Sequence, residues 1–267
     1  TNRGDLTIAK IETSKNSADH FASPGSVLVN EGTVHIGETD GAHFGLHNEA
    51  GATASVDSFV LSMGDLTNDT NDGTFTFEDS YNRGTMTVAD RFVINGADQW
   101  GNNADIFGVF RNFGSLSVGT AEQAATEIAV NGQMYNDGAS AQAVFNGDLI
   151  VADTNGADSF ETLFSNTNGA SVNVTGDLTI ESGNFVNRNA TITVGGTFDS
   201  KIDIENQGVI QAADEGAQLT IDGTTFTNSA AQEAVGSVKG FDVEVVGNGT
   251  FNLAGGSADL TGLTLTA

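Results

Sequence analysis

The chain has no cysteine, one proline, one tryptophan and only nine basic residues among 267. Without cysteine there is no disulfide framework and no thiolate metal or redox site. A protein that crosses an oxidising compartment unfolded gains by carrying no thiol that could mispair, which leans the reading toward export. A single proline, Pro24, suits a sheet in which inner strands need every N–H for pairing on both sides. Nine basic residues against 35 acidic ones leave a net charge of −26. The few Lys and Arg are scattered from Arg3 to Lys239, so no basic patch can neutralise phosphates, and unaided binding of nucleic acid or an anionic membrane is excluded. The longest apolar stretches, such as Phe59-Val60-Leu61, fall far short of the roughly 20 residues a spanning helix needs, so no membrane insertion is expected. The first residues show neither a basic nor an apolar leader segment, as in a mature chain or a piece of one.

What is present is glycine (34), phenylalanine (17), asparagine (25) and enough hydrophobic residues (38%) to bury a core. A motif Asn-x-Gly-x-h-x-h, with h apolar, recurs. Its clean copies are Asn2-Arg3-Gly4-Asp5-Leu6-Thr7-Ile8, Asn30-Glu31-Gly32-Thr33-Val34-His35-Ile36, Asn71-Asp72-Gly73-Thr74-Phe75-Thr76-Phe77, Asn82-Arg83-Gly84-Thr85-Met86-Thr87-Val88, Asn112-Phe113-Gly114-Ser115-Leu116-Ser117-Val118 and Asn206-Gln207-Gly208-Val209-Ile210-Gln211-Ala212. Looser copies begin at Asn136, Asn166, Asn187 and Asn248. A second element, Gly-Asp-Leu followed by alternation, stands at Gly64-Asp65-Leu66, Gly147-Asp148-Leu149 and Gly176-Asp177-Leu178.

The spacing dictates the fold. A short strand with apolar residues at alternate positions buries one face and cannot do so alone, so successive copies must stack. Gly and Asn at fixed offsets turn the corners between strands. The expected fold is all-β: a right-handed parallel β-helix, or β-solenoid, of roughly 10–12 rungs at about 4.8 Å each. Loop insertions interrupt it, and the whole chain, 1–267, reads as a single domain. The interruptions fall at Lys15 to Gly25, Asn95 to Asp105, Ala121 to Ile128 (the one segment with helical character), Asp153 to Thr162 and Ser229 to Lys239. The repeated Asn has two readings: an internal amide ladder running from turn to turn, or a residue that tolerates left-handed backbone geometry.

This alternation, in a Cys-free, Lys-poor, Gly/Asn/Thr-rich chain, resembles the β-helical passenger regions of bacterial autotransporters and filamentous-haemagglutinin-like adhesins. The resemblance covers most of the chain, and its motif is structural. It implies an exported, cell-surface protein with an adhesive or scaffolding role, whose loops carry any specificity, and it carries over no catalytic residue. The sequence departs from the family in having no recognisable secretion module or C-terminal membrane barrel.

Both ends of the sequence run through strand-like segments without an evident cap. Three readings follow: a segment of a longer solenoid, copies joined end to end, or a terminal strand donated to a neighbour. The expectation is a structural extracellular subunit of a surface filament that assembles with itself, head to tail, through terminal strands around Leu6, Ile8, Leu263 and Leu265. The alternatives are the shaft or ligand-binding segment of an adhesin, with host or surface glycans as partners, and a polysaccharide lyase or hydrolase. The enzyme reading is set aside, because the basic residues that acidic sugars require are scarce and no catalytic or nucleotide-binding motif is present.

Several residue groups point to narrower chemistry. Asp69 and Asp72 in one turn, and Asp153 and Asp158 in another, cluster hard oxygen donors around glycine; calcium is the cofactor they would hold, although neither reproduces a full calcium-loop spacing and both are also ordinary turn chemistry. The histidines His20, His35, His43 and His47 read as surface residues. Arg3-Gly4-Asp5 spells an integrin-type tripeptide, but the repeat already accounts for it. Trp100 offers a stacking surface for a sugar ring or an anchor for its own loop. Thr-x-Thr elements at 85–87, 191–193 and 264–266 resemble flat ice-binding faces, yet the sequence spacing does not bring them to one coil position across many rungs, which counts against that reading.

Overall fold

The structure is a computed structural model describing residues 1–13, 26–41, 44–61, 65–69, 74–78, 80–95, 98–100, 104–106, 108–152, 162–214, 216–231 and 234–266. Over 65–69, 74–78, 98–100 and 104–106 only the backbone is described. Among these residues there is no helix, and almost every strand belongs to one continuous parallel sheet that coils on itself. The chain is a parallel β-helix.

Each turn presents three faces. The first carries the Asn strands, such as Val109–Asn112 and Gln133–Asp137, paired in parallel with Asn112 opposite Asn136. The second carries the strand that follows the glycine, as in Ser115–Val118 over Gln142–Phe145. The third closes the turn, as in Leu149–Val151 over Leu178–Ile180. Following register along the first face gives eleven stacked positions: Asn2, Asn30, Asn48, Asn82, Asn112, Asn136, Asn166, Asn187, Asn206, Asn228 and Leu253. Eleven turns make a rod about 50 Å long.

Alternation places one residue in two inside the coil, and identical positions on successive turns form columns. On the first face Phe164 stacks on Phe185 with ring centroids 5.8 Å apart. On the third face Phe92 stacks on Phe59 at 5.6 Å, and across the interior it meets Phe110 at 5.4 Å and Phe145 at 6.0 Å. All four of these rings are fully buried. The phenylalanines are thus the filling of the tube, which explains why a chain with so few other aromatics can afford so many of them.

Several expectations change here. The clean motif at Asn71 is not a turn of the coil: Thr74–Glu78 pairs antiparallel with Asp65–Asp69, so this copy and Gly64-Asp65-Leu66 build a hairpin that leaves the rod. Local alternation is the same in a hairpin and a rung; only the partner differs, and no local motif encodes the partner. The turn at this level is supplied by Asn48, whose glycine follows after three residues, not two. Residues 121–128 form no helix. Ile128 lies in the strand Glu127–Val130, where stacking on Phe92 outweighs the helical propensity of the alanines. Ser229 to Lys239 is only partly an insertion, since Ser237–Lys239 is a rung strand. Asn248 sits in the bend before Thr250–Ala254 and does not join the Asn column. The segment Lys15 to Gly25 lies outside the described residues except for its place in the chain, between Asp5–Thr13 and Ser26–Asn30.

Candidate functional site

The motif asparagines form an internal amide ladder. From Asn2 to Asn228 each side-chain Nδ2 donates to Oδ1 of the next Asn, nine bonds of 2.7–3.0 Å in one direction. From Asn30 onward the ladder residues are buried. Asparagine is the side chain that can do this: it is short, and it carries both donor and acceptor, so identical residues can give to one neighbour and receive from the other. The second Nδ2 hydrogen reaches a backbone carbonyl of the following turn, as from Asn82 to Ser115 O (2.9 Å) and Asn136 to Ser171 O (2.9 Å). Oδ1 also takes the N–H of the motif glycine, as in Asn206 with Gly208 (3.1 Å). One side chain therefore satisfies the corner of its own turn and fastens it to the next.

The ladder has a direction and an end. Among the described residues Asn2 Oδ1 accepts the Gly4 N–H at 3.2 Å and no side-chain amide. At the other end the slot is filled by Leu253, 49% exposed, which can neither give nor receive. Asn228 Nδ2 keeps the backbone bond of the series, to Ser257 O.

The motif glycines follow the same logic. A Cβ on Gly114 would stand 2.2 Å from the carbonyl oxygen of Gly84 in the turn before, and on Gly32 2.5 Å from Gly4 O. Only glycine permits the backbones to approach so closely. Gly4 has nothing within 4 Å. The Gly-Asp-Leu element is a second staple: Asp148 Oδ1 accepts the Asp177 N–H at 2.9 Å, and Asp177 Oδ1 accepts the Thr197 N–H at 2.6 Å. Those carboxylates hold backbone.

The assembly residues divide between the ends. Leu6 and Ile8, half-buried, face inward on the first turn. Leu263 and Leu265, 56% and 74% exposed, continue the fully buried Val243 and the buried Val245 columns into open space. Of the structural corners, Asn2, Gly4, Asn30, Gly32, Asn82, Gly84, Asn112, Gly114, Asn206 and Gly208 stand in the stack, whereas Asn71 and Gly73 lie outside the described residues. So do the calcium candidates Asp72, Asp153 and Asp158, and the side chains of Asp69 and Trp100. Among the described residues no three His, Cys, Asp or Glu gather as metal ligands. Sequence reasoning missed Asn48 and Asn228; alternation resuming at Ala52-Thr53-Ala54 would have marked the first.

The basic residues stitch neighbouring turns. Arg3 pairs with Glu31 at 2.7 Å, Arg91 with Glu127 at 2.7 Å and Arg83 with Glu49 at 3.5 Å. The hydrogen bond to Glu31 raises the pKa of Arg3 above its ordinary value, and that from Lys201 to Asp199 does the same for Lys201. On the first face His47 stacks on Tyr81 at 4.2 Å, Arg83 lies over Tyr81 at 4.4 Å and Arg111 over Tyr135 at 4.2 Å. Tyr81 is covered by His47 and Arg83 and Tyr135 by Arg111, so these contacts join side chains within and between turns.

One constellation has the elements of a nucleophilic relay. His35 Nδ1 is 3.0 Å from Ser55 Oγ, and Nε2 is 3.7 Å from Asp57 Oδ2. The carboxylate is too distant for a hydrogen bond, Ser55 Oγ donates to Val34 O, and the strand amides beside it belong to the ladder of the parallel sheet, so no donor pair is free for an oxyanion. This group braces two turns.

The four longest connections between rung strands fall at one corner, between the third face of one turn and the first face of the next: from Thr13 to Ser26, from Leu61 to Ser80, from Ile94 to Val109 and from Val151 to Leu163. The second contains the hairpin of Asp65–Asp69 with Thr74–Glu78 and the third that of Asp98–Trp100 with Ala104–Ile106. Comparison with family models, with curated proteins and with solved structures finds no match to this chain.

Proposed function

We propose that this chain is a structural β-solenoid of an extracellular surface filament, joined head to tail with further copies through the edges of its terminal turns. The supporting observation is that one stacking pattern repeats from turn to turn: the amide ladder runs in one direction from Asn2 to Asn228, and the clean inner motif glycines Gly32, Gly84, Gly114 and Gly208 each have the preceding turn's backbone against them, so a turn of one copy carries the pattern needed to stack on a turn of another. Leu253, Leu263 and Leu265, on inward columns, are 49%, 56% and 74% exposed. By register a first turn laid on a last turn would set Leu6 on the Ala258 column and Ile11 on the Leu263 column, apolar on apolar. The join would be made by parallel backbone bonding and apolar burial, while the net charge of −26 keeps rods from clumping sideways.

Gly4→Ala tests this directly. In the single chain the new methyl meets nothing, so folding and melting stay as they are; in a join it would strike the carbonyl of the neighbouring copy's last turn. Electron microscopy should show uniform thin fibres from the unaltered chain and dispersed short rods from Gly4→Ala. Short rods from both would sink the proposal.

A second reading, the shaft of an adhesin that holds host or surface glycans, is favoured by the position of the four longest connections at one corner, the arrangement by which solenoids carry binding loops. Replacing the hairpin 62–79 by a short turn would then abolish attachment to glycan-bearing cells while leaving fibre formation intact. Attachment that survives would dismiss this reading.

A further inference from the structure

The second face differs from the other two. Its outward positions form two columns, and no Asp, Glu, Lys or Arg occupies either one from Thr33 and His35 through Val209 and Gln211. That is eight consecutive turns without charge in a chain carrying 35 acidic residues. The outward positions of the neighbouring faces hold Glu49, Arg83, Arg111 and Arg188 on one side and Glu38, Arg91, Glu127 and Glu244 on the other. What fills the neutral columns is chiefly hydroxyl: Thr53 and Ser55, Thr85 and Thr87, then Ser115 and Ser117 on three successive turns. Thr191 and Thr193 lie on the same two columns. The spacing along the sequence had argued against any such alignment. Insertions of unequal length hide it, and the coil restores it, although Thr264-Leu265-Thr266 belongs to the third face.

The stripe is regular in register. Its rows repeat at about 4.8 Å along the rod and its two columns stand nearly 7 Å apart, the distance between alternate residues of a strand. β-Branched threonine holds its hydroxyl in few rotamers, and side chains on neighbouring turns fix one another, as His35 with Ser55 (3.0 Å) and Gln211 with Thr193 (3.1 Å).

The kind of partner follows from what the stripe offers. Without charge it gains nothing from an ion, a nucleic acid or a charged membrane. Without a Phe, Tyr or Trp ring, and with a single imidazole, His35, at its first turn, it gives a sugar no extended stacking surface. Seven intervals of about 4.8 Å by a width near 10 Å make a few hundred Å², below the roughly 800 Å² per partner of a stable protein interface, so a second copy or a globular protein is poorly served. A two-dimensional lattice of hydroxyls suits a partner that is itself a lattice of hydrogen-bonding groups. The oxygen repeats on the prism planes of hexagonal ice are close to these two spacings.

We propose that the hydroxyl stripe of the second face is an ice-binding surface, which orders a layer of water along its two columns and so joins the rod to a growing ice front. The test is ice shaping and inhibition of ice recrystallisation by the purified chain, compared with Thr87→Lys in the stripe and Thr220→Lys on the third face, where Thr220 stands between the Asp199 and Glu244 positions. Far-UV circular dichroism melts confirm that both variants fold. The unaltered chain and Thr220→Lys should shape ice alike, and Thr87→Lys should need at least about tenfold more protein, because its ammonium would have to be desolvated at the lattice. A chain that leaves ice growth unchanged overturns the proposal, as does equal loss in both variants. Retention on microcrystalline cellulose or chitin that only Thr87→Lys abolishes, with no effect on ice, overturns it in favour of a polysaccharide surface.

Discussion

Asn112 donates its side-chain amide to Asn136 Oδ1 at 2.8 Å, and both residues are fully buried. Around that bond the rest of the rod is repeated: the same Asn also holds Gly114 O at 3.1 Å and reaches Gln142 O at 3.0 Å in the next turn. Removing it takes the donor from Asn136 Oδ1 and the acceptor from the Asn82 amide that bonds it at 2.8 Å, while Gly114 O keeps the Gln142 N–H and Asn82 keeps Ser115 O. Asn112→Ala should therefore cost about 2–4 kcal/mol, more than a single lost hydrogen bond, since buried partners are left without water. Asn112→Asp keeps the shape and still accepts from Asn82, but it cannot donate and buries a charge, so it should be worse than alanine near neutral pH. Urea unfolding of the three chains gives the order; an aspartate variant as stable as the parent would contradict the direction assigned to the ladder.

The two ends of the glycine series should behave oppositely. Gly114→Ala drives a methyl to 2.2 Å from Gly84 O, a contact that only backbone movement relieves, and should cost about 2–4 kcal/mol, the upper range for overpacking a tight site. Gly4→Ala, in the same motif position, should change stability by less than about 0.5 kcal/mol. Thermal melts of the dispersed chains at low protein concentration measure both.

Phe92 joins three other rings in the middle of the rod, with centroids 5.4–6.0 Å away. Phe92→Ala should cost about 3–5 kcal/mol by lost burial and the cavity left behind. Phe92→Leu, which keeps most of the volume, should cost well under half of that. Denaturant midpoints at unchanged slope would assign the loss to packing.

The coil, its number of turns and its inward residues were legible because alternation and glycine offsets are local properties of backbone geometry, which the sequence carries directly. The partner of each strand was not. Asn71-Asp72-Gly73-Thr74-Phe75 spells the motif better than Asn48-Glu49-Ala50-Gly51 does, yet the second stacks in the rod and the first opens a hairpin. Stacking is decided between residues some 20 to 35 positions apart, as Asn30 with Asn48 and Asn48 with Asn82 illustrate. The neutral stripe was hidden for the same reason, since Thr85 and Thr191 share a column only after the intervening turns are wound up.

A net charge of −26 on a rod with few basic residues opposes the compact state through self-repulsion, and salt relieves it. The melting temperature should rise by a few degrees as sodium chloride is raised to about 0.3 M, and then level off as the screening length falls below the spacing of surface charges. Calcium at matched ionic strength separates general screening from a bound ion. A further rise that Asp72→Asn or Asp158→Asn removes would assign calcium to those turns, and a melting temperature indifferent to both salts would eliminate the electrostatic account.

Glu205 carries the pH dependence that can be signed. Its Oε1 accepts the Ser229 hydroxyl at 2.8 Å and the Gln207 amide at 2.8 Å, and these bonds, with the nearby charge of Arg188, hold its pKa below the ordinary 4.5. A carboxylate whose pKa is depressed by folding contributes stability above its unfolded value, and that stability is lost as the pH falls through the folded one. Glu205 is largely exposed, so water screens the contribution and its size stays small. Urea midpoints should be compared for the parent chain and Glu205→Gln from about pH 6 down to about pH 3. The parent should be the more stable above pH 4.5, and the gap should close below it. A gap that widened on acidification would mean that Ser229 and Gln207 favour the protonated acid, the reverse of what their donor geometry implies.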